Sequence, residues 1–253
     1  MPVFRINKDL HHFAHVPKCG GMSIEAYLLE RFSPLGMYKA DRYNVPAHQR
    51  WTPTSLVHVP GARLVSIYPV EWFASSFALV RQPVRRLVSA FFFARDMVRS
   101  IPPETAFNAR FQETAPRLEK AFCLCGGHLV PQTDQVPERA HILRFEDGLK
   151  AVVADLDALG GNREGPRELP AKNIKRWRGQ EEPPEIAQAT LALIARLYAA
   201  DFQRFGYPPP ANVAKATTLP DLPVLAATGR PPAPRRSFLR RLQGRLENRA
   251  RGK

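Results

Sequence analysis

The chain has 253 residues, 44% of them hydrophobic, which suits one globular domain with a tail better than two domains. No apolar run is long enough to cross a bilayer, and the first ten residues lack the charged start and apolar centre of a secretory signal, so a cytoplasmic protein is expected. A net charge of +14 raises a nucleic-acid reading, yet residues 230–253 hold nine basic residues against the single acid Glu247, which leaves the rest an excess of only six. Three cysteines, Cys19, Cys123 and Cys125, cannot all pair, and one Cys-x-Cys without further ligands is no zinc framework, so no metal is expected.

In chain order, residues 3–6 read as an edge strand. Apolar Leu10, Phe13, Ala14 and Val16 form a short run that stops at Pro17 and fits a buried strand. Lys18-Cys19-Gly20-Gly21-Met22-Ser23 follows, where two adjacent glycines let the backbone turn tightly and bring its amides against a ligand. From Ser23, a plausible N-cap, Ile24, Tyr27 and Leu28 mark one face of a helix over 23–31. Unpaired amides, the positive end of the helix dipole and Lys18 then converge on one place, which suits an anion. Cys19 in such surroundings is either an activated thiol or a small residue filling the turn.

Residues 33–45 are irregular, and 46–53 are polar and aromatic, with 54–58 a helical turn or short strand. Residues 77–81 are a compact strand that ends at Gln82-Pro83. A helix with Pro83 in its first turn then runs to about Arg99 on an apolar face of Val84, Leu87, Val88, Phe91 and Phe92. A Pro-rich polar stretch over 101–116 precedes 117–122. Residues 140–145 read as another core strand, and Asp147 caps a helix that ends at Gly160-Gly161. After a charged loop over 163–184, an amphipathic helix covers 184–205. Strands alternating with helices imply a mainly parallel sheet covered on both faces, with ligands at the carboxyl ends of its strands. Beyond residue 210 the composition turns to Pro, Ala and Thr, so the domain is set at 1–210 and the remainder, 211–253, is a linker and basic tail. That tail is either disordered or a short amphipathic helix suited to a membrane surface.

The lysine precedes the glycines, whereas a nucleotide-binding P-loop reads GxxxxGK[ST] with its lysine after them. The order Pro17-Lys18-Cys19-Gly20-Gly21-Met22-Ser23 resembles the 5′-phosphosulfate loop of sulfotransferases that use 3′-phosphoadenosine 5′-phosphosulfate (PAPS). A second stretch, Arg81-Gln82-Pro83-Val84-Arg85-Arg86-Leu87-Val88-Ser89-Ala90-Phe91, resembles the 3′-phosphate motif of the same family, RxPxxRxxSxF/Y. Its Arg offers a planar fork and its Ser a hydroxyl to one phosphate. His128-Leu129-Val130-Pro131-Gln132, the strand 142–147 and the closing helix 197–207 widen the match, which is nearest to the carbohydrate and heparan sulfate 2-O-type branch and its bacterial relatives. Met22 stands where Thr is common, and Gln82 where Asp or Asn is common.

The resemblance implies a P-loop-like three-layer α/β fold with a mainly parallel central sheet flanked by helices. By position it gives Lys18 the phosphosulfate and the leaving bridging oxygen. The amides of Gly20, Gly21, Met22 and Ser23, beside Cys19 and with the Ser23 hydroxyl, take the 5′-phosphate. Arg81 and Ser89 take the 3′-phosphate, and Arg86 braces its helix or assists. Histidine is the natural base near neutral pH. In bacterial members a His follows a Pro between the two phosphate motifs, the place of His48 here, with His58 its competitor; His15 and His128 either meet the acceptor or pack. The expected reaction is sulfuryl transfer from PAPS, without a metal, to a hydroxyl on a glycan or glycolipid. The basic tail would touch the inner membrane face, and nucleic acid is not the expected partner. The alternatives are a P-loop-type nucleotide kinase, which lacks its Lys-Ser/Thr here, and a non-enzymatic nucleic-acid- or membrane-binding protein that works through the tail.

Overall fold

A computed structural model describes residues 1–38, 58–120, 127–170 and 184–210. His48, Cys123, Cys125 and everything from 211 onward lie outside the described residues. Four strands form one sheet in the order β1 (Val3–Ile6), β2 (Asp9–Ala14), β3 (Phe73–Val80), β4 (His141–Arg144). β1 pairs antiparallel with β2 through a tight turn in which Asn7 takes φ 55°, a left-handed angle that Asn tolerates better than most residues. β2, β3 and β4 run parallel. The last four residues of β2 and of β3 are all buried. Successive side chains point to opposite faces, so both faces of these strands are covered.

Helices flank the sheet: α1 (Gly21–Phe32), α2 (Gly61–Ile67), α3 (Pro83–Phe92), α4 (Phe107–Thr114), α5 (Gln132–Gln135), α6 (Lys150–Gly160), α7 (Gln188–Leu197) and α8 (Ala199–Phe205). α1 buries Ile24, Tyr27 and Leu28, the face its spacing gives. α3 has Pro83 in its first turn, and the Gln82 side chain accepts a 2.8 Å hydrogen bond from the Arg85 amide. It ends at Phe92 and continues as a π-helical turn over Phe93–Met97, short of Arg99.

Several boundaries differ from the sequence reading for local reasons. β2 stops at Ala14, and α1 begins at Gly21, because Gly20 in the left-handed region is the N-cap; Ser23 is buried inside the first turn and does not cap. β4 is half exposed, since among the described strands it forms an edge rather than a core strand. Asp147 does not cap α6: it closes a 3-10 turn, and Leu149 is the N-cap, without a side-chain bond. The polar stretch over 101–116 contains α4, whose Phe107 and Phe111, one turn apart, are buried. The terminal helix starts four residues late and breaks at Tyr198 into α7 and α8. Among the described residues no helix is long and apolar enough to cross a membrane.

Two fully buried charged side chains hold residues 128–133 against α3 and α8. Arg86 of α3 donates to the carbonyls of His128 and Val130, both at 2.8 Å. Asp201 of α8 accepts from the Gln132 amide at 2.9 Å and from the Thr133 amide and hydroxyl at 2.8 and 3.0 Å. Asp201→Ala leaves those donors buried and unpaired, and is expected to cost about 2–4 kcal/mol. Removing the exposed Arg110–Glu113 pair on α4 is expected to cost under about 0.5 kcal/mol. Urea midpoints of the two variants measure the contrast.

Candidate functional site

The three parallel strands end at Ala14, Val80 and Arg144, and each is followed at once by part of the site. After β2 the chain passes through Lys18, at φ 68°, and Gly20, at φ 83°. A lysine in the left-handed region is uncommon and marks a turn held by its surroundings. Gly20 must stay without a side chain, because its angle disfavours one and a Cβ would come 3.2 Å from the Phe145 ring. Gly21 has no room for one at all, since a Cβ would sit 2.1 Å from His15 Nε2. The Ser23 amide is already donated to the Gly20 carbonyl at 3.0 Å. The amides ahead of it at the start of α1 are those that the helix itself cannot satisfy.

Arg81 follows β3 directly. Its Nη1 donates to the Lys18 carbonyl at 3.2 Å, and its guanidinium lies over the Phe145 ring, 4.7 Å from the centroid. Arg81 Nε is buried and has no hydrogen-bond partner among the described residues. Lys18 Nζ rests 3.9 Å from the centre of the Phe93 ring. Ser89, half-buried on α3, stands one turn before Phe93 and so shares its face. The loop and the second motif are thus brought together at one edge of the sheet.

One side chain couples them. The Gln132 carboxamide accepts from the Arg81 amide at 2.9 Å, donates to the Arg81 carbonyl at 2.8 Å, and accepts from the Cys19 thiol at 3.5 Å. Cys19 is buried and also donates to the Pro17 carbonyl at 3.6 Å. Burial pushes this thiol up to about 12, so it stays protonated; Cys19 fills the turn, and its side chain faces the core rather than a ligand. Gln132 and Asp201 had no role assigned from sequence, because a lone Gln or Asp in a turn or helix carries no spacing signal. Their position in the strings 128–132 and 197–207 was the sole pointer.

Burial, helped by Arg81, brings Lys18 down to about 8, and burial also lowers Arg81. Three histidines crowd the same edge. His58 Nδ1 lies 3.0 Å from the His15 carbonyl; a carbonyl can only accept, so Nδ1 carries a proton. The His58 ring meets His15 edge-on at 4.7 Å and His128 at 5.6 Å, and His128 meets Phe93 at 5.0 Å. Burial, with His58 and Lys18 nearby, brings His128 down to about 2, a neutral packing ring. His15 Nδ1 lies 2.7 Å from Glu25 Oε1, and burial drives both toward their neutral forms, His15 well below its ordinary value and Glu25 up to about 7. Of the expected residues, Lys18, Gly20, Gly21, Arg81 and His58 therefore lie together, Met22 is exposed on the first turn of α1, and His48 falls outside the described residues.

No family model matches this chain, and no curated protein does. A crystal structure of a sulfotransferase from Alicyclobacillus acidocaldarius aligns with it at a TM-score of 0.38 and 16% identity, over 77% of this chain and 92% of that one.

The contact between Gly21 and His15 predicts a non-additive pair. Gly21→Ala alone is expected to destabilise the protein by about 1–3 kcal/mol through overpacking, and to cost markedly less in a His15→Ala background, where the ring is gone. Thermal midpoints of the two single variants and the double variant measure the coupling.

Proposed function

We propose that the chain is a sulfotransferase that moves a sulfuryl group from PAPS to a hydroxyl, with a glycan or glycolipid as the acceptor. One observation carries the reading: Arg81, directly after β3, donates to the carbonyl of Lys18 beside the Gly20-Gly21 turn, which supports reading the two motifs as grips on one ligand. A donor with phosphate at both ends of one nucleoside suits two such cationic groups. In the reaction the acceptor oxygen bonds to sulfur as the bond from sulfur to the bridging phosphate oxygen breaks. The acceptor proton passes to a base, and adenosine 3′,5′-bisphosphate leaves. Lys18 stabilises the charge that grows on the departing oxygen, and the amides of Gly20, Gly21, Met22 and Ser23, with the Ser23 hydroxyl, take the 5′-phosphate. Arg81, whose buried Nε has no hydrogen-bond partner among the described residues, and Ser89 take the 3′-phosphate.

His58 is favoured over His48 as the base. Its Nδ1 lies against the His15 carbonyl, and its ring belongs to the aromatic group around Lys18 and Phe93. Residues 230–253, with their nine basic side chains, would add an electrostatic contact with an anionic membrane surface.

Radiolabelled donor with a panel of glycans, lipids and peptides tests the activity. Lys18→Ala and Arg81→Ala are each expected to abolish transfer while circular dichroism stays native; near-normal turnover in either refutes its assigned role. His58→Ala is expected to slow transfer by ~10²–10⁴ while the bisphosphate still binds, and an unchanged rate would return the role to His48. Lys18 holds its positive charge below about 8 and loses it above. Affinity for adenosine 3′,5′-bisphosphate is therefore expected to fall as pH rises past that value, and calorimetry on Lys18→Ala should show the fall abolished.

A further inference from the structure

A carboxylate stands beside Arg81 without pairing with it. Glu146 lies in the turn that follows β4 and is exposed. Its Oε1 accepts from the amide of Gln82, the residue after Arg81, at 3.0 Å, and its Oε2 accepts from the Tyr207 hydroxyl at 2.8 Å. Tyr207 is itself fixed: it is buried, and Arg144 lies over its ring at 5.1 Å while donating to the Phe205 carbonyl at 2.8 Å. Neutral donors thus hold both oxygens of Glu146, and among the described residues no ion pair joins it to Arg81. The guanidinium is engaged elsewhere, through Nη1 on the Lys18 carbonyl and through its face on Phe145, and its buried Nε has no hydrogen-bond partner among the described residues. Burial lowers Arg81, the charge of Glu146 is among the influences that raise it, and exposed Arg85 lowers it. An anion held by Arg81 meets the same negative charge and is repelled by it.

We propose that Glu146 is a counter-charge that limits the affinity of Arg81 for the 3′-phosphate: held off the guanidinium by Gln82 and Tyr207, it leaves Arg81 open to the ligand and hastens the departure of adenosine 3′,5′-bisphosphate. The proposal rests on the reading of Arg81 as a grip on that phosphate. Glu146 touches no reacting atom and acts through Arg81 alone. Its two hydrogen bonds matter because they fix the distance: a carboxylate free to swing onto the guanidinium would occupy the place of the phosphate, whereas one held aside only weakens the attraction.

Calorimetry and stopped-flow dissociation of adenosine 3′,5′-bisphosphate on the full chain test it. Glu146→Gln removes the charge and keeps both hydrogen bonds, since a carboxamide can accept from the Gln82 amide and donate to the Tyr207 oxygen. It is expected to bind the bisphosphate roughly 2–5-fold more tightly, mainly through slower dissociation, with the gain shrinking as salt is raised. Tyr207→Phe keeps the charge but frees Oε2 to pair with Arg81, and should bind more weakly. A carboxylate that merely braced the turns would weaken binding in both variants. Weaker or unchanged binding by Glu146→Gln therefore overturns the proposal, as does an equal gain in Asp147→Asn, which removes the neighbouring exposed carboxylate instead. Failure of the wild type to bind the bisphosphate would refute the functional reading, and the ligand-free protein would still decide whether Glu146 acts on Arg81. There the Arg81 Nε–H resonance is expected to move further in Glu146→Gln than in Asp147→Asn, and a resonance that stays in place overturns the counter-charge.

Discussion

The geometry of the site depends on one buried carboxamide. Gln132 binds both backbone groups of Arg81 and receives the Cys19 thiol, so the turn after β2 and the turn after β3 are held at a single spacing. Adjacent parallel strands would place these turns side by side in any case. What the strands alone do not determine is the depth and rotation of each turn, and Gln132 supplies that. Gln132 is in turn held by Asp201 through its amide, and the carbonyls before it are held by Arg86. The order of dependence runs inward from α8 and α3 to α5, and from there to the two loops. Polar groups buried to this extent are tolerated because nearly all of their hydrogen-bonding capacity is used.

Much of this fold could be read from the order of residues, and the reason differs from part to part. β1, the buried face of α1 and the Pro83 start of α3 followed from period and from proline, signals that depend on a few neighbours in the chain. The strand–turn–helix around Lys18 was legible for the same reason, although the cap lay three residues earlier than Ser23, because Gly20 adopts a backbone angle that no side chain announces. α4 was hidden by the prolines and polar residues before it, and Phe107 and Phe111 were its one detectable sign. The break at Tyr198 had no sign at all: the amphipathic pattern runs through it, and only the tertiary position of α8 requires the bend.

The candidate site was legible in the residues of its two motifs and illegible in the contacts that support them. Lys18, Gly20, Gly21 and Arg81 sit in contiguous strings, whereas His15, His58 and His128 are separated by scores of residues and met only through the sheet and the turn before α2. His58 is drawn in by a bond to a backbone carbonyl, an interaction with no sequence preference. Glu25 could have been noticed as a charge on the apolar side of α1, yet nothing in the linear pattern names its partner ten residues earlier.

The electrostatic state of the site gives the strongest reason to expect a polyanion there. Lys18 and Arg81 are both partly buried, each loses charge stability through burial, and Arg81 further lowers Lys18. Two cations drawn from water toward each other are unfavourable unless something offsets the cost. The protein offsets part of it with ring faces, Phe93 beneath Lys18 and Phe145 beneath Arg81, each worth about 0.5–2 kcal/mol. These contacts keep the cations in place without neutralising them. Glu146, whose Oε1 accepts from the Gln82 amide, offsets a further part for Arg81 by its charge. Aromatic rings hold the two side chains while leaving both of them charged.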